Sequence, residues 1–100
     1  MELIQRGQEA SDLNKFSLAL QYYDALIERF PTQTAAVIAA EYEIAFIHYK
    51  RRDFDTARTL FNNLLARYTV VDAELLPPQF KILSEIVLES INETESRRQR

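Results

Sequence analysis

The sequence predicts an all-α chain of two stacked helical hairpins and a fifth helix. Three observations carry this. Apolar residues recur at helical spacing along nearly the whole chain. One glycine and three prolines among 100 residues leave little material for strand-forming hairpin turns. The two halves also repeat each other at a fixed offset of 38 residues, which pairs Gly7 with Ala45, Phe16 with Phe54 and Ala19 with Ala57. The same offset pairs Tyr23 with Phe61, Leu26 with Leu64, Ile27 with Leu65 and Arg29 with Arg67. Small residues meet small ones and aromatics meet aromatics without a gap, as an internal helical repeat requires.

Leu3, Ile4, Gly7, Ala10 and Leu13 predict a first helix over residues 2–13. After a turn at Asn14 and Lys15, a second helix runs over residues 16–29, and Pro31 stops it. Thr32 or Thr34 is placed to cap a third helix, expected over 33–51. That helix is apolar on two sides. Val37, Ala40, Ile44, Ile47 and His48 lie on one side; Ile38, Tyr42, Phe46 and Tyr49 lie roughly opposite. Such a helix is either sandwiched or presents a binding surface. Asp53 is placed to cap a fourth helix over 54–67, and Pro78 suits the first turn of a fifth, over 77–91. The expected units are one domain over 1–92, with hairpins at 2–30 and 33–68, and a fraying polar tail at 93–100 that includes Arg97, Arg98 and Arg100.

The composition narrows the function. Apolar residues make up 47% and charged residues 27%, which fits a globular chain. A net charge of −3 gives no electrostatic footprint for nucleic acid or a membrane surface. Cysteine is absent, so there is no disulfide or thiolate chemistry. No apolar run has the length of a bilayer span, so no direct membrane insertion is expected. A native start at Met1 implies a cytoplasmic protein, because residues 1–10 lack a secretory leader; an excised domain could come from the periplasm or cell envelope.

No catalytic constellation emerges. His48 is the single histidine, which excludes a multi-histidine metal site and fits a partly buried packing role. Gly7 stands alone, so there is no phosphate loop, and no cofactor is expected. Glu41 and Glu43 point to different helix faces and read as solvated or boundary charges. Lys50, Arg51 and Arg52, with Arg58 nearby, form a basic turn. They either offset a helix C-terminal dipole or anchor a carboxylate or acidic peptide.

The pattern resembles the tetratricopeptide repeat family. The residues carrying the resemblance are Gly7, Phe16, Ala19, Tyr23 and Pro31, then Ile44, Ala45, Phe54, Ala57 and Phe61. Phe80, Leu83, Ser84 and Val87 resemble the opening of a third repeat. The offset exceeds the usual ~34 residues; Arg6 and Glu41 stand where large apolar residues are expected, and Thr69 replaces a second closing proline. The longer spacing is similar to repeats of bacterial cell-envelope proteins. The resemblance implies a right-handed α-α superhelix and a non-catalytic module that binds a protein or peptide in its concave groove. By register, Tyr42, Phe46, Tyr49 and Lys50 fall on groove positions, flanked by Ile4, Gln8 and Asp12 and by Lys81, Glu85 and Leu88. The alternative for the three rings is packing against helices one and five.

The fifth helix suggests a second surface. Phe80, Leu83, Val87 and Ile91 share one face, while Ile82, Ile86 and Leu88 lie off it. One packing face needs an apolar stripe of only ~100°. A partner is therefore expected over Ile82, Ile86 and Leu88: a second copy, giving a homo-oligomer, or further repeats.

Overall fold

The computed structural model describes residues 1–98. Its five α-helices are α1 (Glu2–Asp12), α2 (Phe16–Arg29), α3 (Thr34–Lys50), α4 (Phe54–Ala66) and α5 (Pro78–Arg98), and no strand occurs among the described residues. Short 3-10 turns at Arg67–Thr69 and Ala73–Leu75 join α4 to α5. Each helix packs on the next, and α3 also touches both α1 and α5. The result is a slab 17 Å thick, with principal extents of 45 Å and 36 Å.

The repeat extends to the backbone. Asn14 and Arg52, 38 positions apart, both adopt left-handed φ values, 59° and 62°. The following amides reach back five residues: Lys15 N–H donates to Ala10 O at 2.8 Å, and Asp53 N–H to His48 O at 2.9 Å. This closes the last turn of α1 and of α3 in the same way and sends the chain back along each hairpin. Asp53 then caps α4 as expected, its Oδ1 accepting from Thr56 N–H at 3.4 Å. Its Oδ2 lies 3.5 Å from His48 Nδ1, so the lone histidine serves the turn. The expected threonine cap of α3 is not made. Gln33 is the N-cap residue and contributes no side-chain bond.

α3 divides the interior in two. Val37, Ala40 and Ile47 join Ala10, Ala19, Tyr23 and Leu26 in a first core. Ile38, Tyr42 and Ala45 join Phe54, Phe61, Leu64, Val87 and Ile91 in a second. The two-sided pattern of α3 is thus that of a helix between two hydrophobic layers. The two departures at apolar positions are met by ion pairs. Glu41 holds Arg67 in the 3-10 turn just after α4, with Nε at 2.7 Å from Oε1 and Nη2 donating to Oε2 at 2.8 Å, and Arg6 pairs with Glu2 at 2.8 Å.

α5 differs most from expectation. It continues to Arg98 instead of ending near Ile91, and the anticipated polar tail is helical as far as it is described; Arg100 lies outside the described residues. Ile91 is fully buried, Glu95 pairs with Arg58 of α4, and Thr94 Oγ1 donates to Ser90 O at 2.9 Å. The buried Ile91 and the Glu95–Arg58 pair hold the added turns against the rest of the fold, while the Thr94 bond lies within α5. Ser84 is also fully buried, with an unpartnered hydroxyl, on the face that carries Phe80, Val87 and Ile91 into the second core.

Candidate partner-binding cleft

α1 and α3 lie side by side on one surface and enclose a cleft of about 360 Å³, lined by Gln8, Ser11, Asp12, Tyr42, Glu43, Phe46 and Lys50. Spacings of three and four residues place Glu43, Phe46 and Lys50 along one face of α3. Gln8, Ser11 and Asp12 do the same on α1. A larger cleft of about 480 Å³ between α1 and α2 is lined mainly by polar side chains, including the paired Arg6 and Glu2. The α1–α3 cleft combines rings, carboxylates and an ammonium, as specific recognition requires.

The four expected groove residues occupy different depths. Tyr42 is 8% exposed and belongs to the second core, which corrects its assignment to an open groove wall. The reason is α5. Phe80 brings its ring to 5.4 Å from that of Tyr42, while Phe61 closes from α4 at 5.8 Å. Phe46 stacks on Tyr42 at 5.9 Å and is half-buried, as is Tyr49, 5.6 Å beyond it. Tyr49 Oη shares a hydrogen bond with Ser90 Oγ at 2.9 Å and so ties α3 to α5. Lys50 is exposed, yet its ammonium is engaged: it donates to Ser11 Oγ at 3.1 Å and lies 5.4 Å and 5.8 Å from the Phe46 and Phe16 ring centres. The rings therefore form one ladder that runs from Tyr42 through Phe46 and Tyr49 to the buried Phe54, with both ends in the second core and Phe46 facing the cleft between them.

Glu43 and Ser11 are the cleft residues that sequence reasoning missed. Glu43 read as a boundary charge, but its position three residues before Phe46 turns it toward α1. Its carboxylate accepts from Tyr23 Oη at 3.4 Å. Burial raises the Glu43 carboxyl above its ordinary value and the nearby Asp12 carboxylate adds to the rise; Tyr23, Lys50 and Gln8 act against it. Burial likewise raises the Tyr42 phenol, with Glu43 adding to it.

A raised carboxyl pKa in the fold means that folding favours the protonated acid. This contribution to stability is complete below the unfolded pKa and is lost as pH rises through the folded one. Glu43→Gln is therefore expected to stabilise the chain at pH 7, by about a few degrees of melting temperature at most. The gain should shrink toward zero as the medium is acidified through the carboxylate range. Thermal melts at a series of pH values check this, and equal or lower stability of the variant at pH 7 would show that burial is not the dominant influence on Glu43.

The second expected surface is reassigned in part. Ile82 and Ile86 are 58% and 57% exposed on the outer side of α5. Leu88 is half-buried against the second core, so it does not belong with them. Leu83, expected on the inner face, is exposed instead. The buried stripe through Phe80, Ser84, Val87 and Ile91 sets this rotation of the helix.

Comparison with known proteins agrees with the hairpin geometry. Residues 39–69, which hold most of α3 and all of α4, match the model of the tetratricopeptide repeat family. Over 90 residues the chain is 32% identical to an uncharacterized protein of Treponema pallidum (strain Nichols). That alignment covers 90% of this chain and 36% of the treponemal protein, so the chain spans about a third of its relative's length. No solved structure matches.

Proposed function

We propose that this chain, a helical stack carrying a tetratricopeptide repeat, is a non-catalytic module that holds a segment of a partner protein in the cleft between α1 and α3. The repeat supports an interaction module in general. The observation that carries the finer reading is the Phe46 ring, the part of the aromatic ladder that is half-buried and faces the cleft. Phe46 remains half-buried beside the hydrogen-bonding groups of Gln8, Ser11, Glu43 and Lys50. Aromatic rings on a rigid helix, with polar groups around them, give a partner contact area at low entropic cost.

A second reading is self-association through α5, favoured by the exposure of Ile82 and Ile86 opposite the buried face of that helix. One experiment separates the two. Peptides selected from a random library on the folded chain are titrated while backbone amide shifts are followed. Shifts centred on Ser11, Glu43, Phe46 and Lys50 are expected. Shifts confined to Ile82, Leu83 and Ile86, with none in the cleft, would replace the groove reading by the second.

A further inference from the structure

We infer that the cleft selects a partner segment bearing a basic side chain, lysine or arginine, whose charge seats against Glu43 and Asp12 while its stem lies on the Phe46 ring. This rests on the groove reading and names the chemistry of its occupant. The cleft holds two carboxylates and one ammonium. The ammonium of Lys50 is already bound to Ser11 and set over two rings, so an acidic guest would have to draw it away from all three. Among the described residues neither Asp12 nor Glu43 forms an ion pair within 4.0 Å, and the bond from Tyr23 to Glu43 is long.

A half-buried carboxylate with no ion pair within 4.0 Å has lost water, and Tyr23, Lys50 and Gln8 offset that loss only in part. Burial opposes its charge, and Asp12 beside it adds repulsion. A guest cation relieves both, and in a partly dehydrated cleft its attraction is stronger than at an open surface. The aliphatic stem of lysine or arginine suits an aromatic wall, while its cationic head sits with the carboxylates and not over the Phe46 ring, where the Lys50 ammonium already lies. An acidic guest adds a third carboxylate. The charge pattern therefore opposes the use of Lys50 as an anchor for acidic peptides.

The test uses three capped peptides, Ac-Ala-Leu-Xaa-Leu-Ala-NH2, with arginine, alanine or glutamate at the centre, titrated into the full chain with amide shifts as the readout. The arginine peptide is expected to move the Asp12, Glu43 and Phe46 amides and to bind at least about tenfold more tightly than the glutamate peptide. Its advantage should fall with added salt. Glu43→Gln should cut its affinity by about threefold or more, whereas Glu74→Gln, outside the cleft, should not. Equal losses from both variants would reduce the effect to the net charge of the chain and overturn the inference. Cleft shifts that are as strong with the glutamate or alanine peptide would overturn it and leave the groove reading standing. If no peptide moves the cleft amides, both fall.

Discussion

Gly7→Ala is expected to destabilise the chain by about 2 kcal/mol, although alanine is the better helix former. An added Cβ would lie 2.5 Å from Tyr23 Cε1 and 2.6 Å from its Cζ. Tyr23 is fully buried in the first core, so its ring has little room in which to retreat. Replacing a mid-helix glycine by alanine contributes about 1 kcal/mol through propensity. Overpacking a filled core costs about 1–3 kcal/mol, and a clash with a rigid ring lies at the upper end. The difference should lower the melting temperature by roughly 8–16 °C. The corresponding pair, Ala45 and Phe61, shares the second core without this restriction, so the demand for glycine belongs to the first hairpin. Thermal and urea unfolding of Gly7→Ala, alone and with Tyr23→Leu, would measure the coupling. A single variant as stable as the parent, or a second change that recovers nothing, would place the strain elsewhere.

Tyr42→Ala is expected to cost more, about 3–5 kcal/mol, the range for removing a buried aromatic side chain. Its ring touches those of Phe46, Phe61 and Phe80, on α3, α4 and α5. Truncation would leave a hole where three helices meet and loosen the docking of α5. Against a typical domain stability of about 5–15 kcal/mol, that loss is a large share of the total. Phe46→Ala removes a half-buried ring and should cost less while weakening peptide binding more. Urea unfolding of each variant, paired with peptide titration of the fraction that remains folded, distinguishes support from contact. Comparable unfolding midpoints for the two would contradict the assignment of Tyr42 to the core.

By itself the sequence determined the helices, their turns and the doubling of the first two into like hairpins, because those properties depend on neighbours a few residues apart. Apolar spacing marked α1 to α4 almost to the residue, and the offset that paired Phe16 with Phe54 also paired the left-handed turns at Asn14 and Arg52. The two apolar sides of α3 were legible as well. Only the tertiary structure decided how far each side chain of the candidate cleft reaches solvent. Tyr42, Phe46 and Tyr49 look alike as a helical stripe, and they differ because Phe80 arrives from a helix 38 positions beyond Tyr42 to cover one end. The rotation of α5 was equally out of reach. Apolar residues around most of its circumference give no preferred phase, so packing against α4 selected Ser84 for the interior and left Ile82, Leu83 and Ile86 outside. The burial of Glu43 followed from the approach of α1 to α3, a contact between separate hairpins that no local pattern encodes.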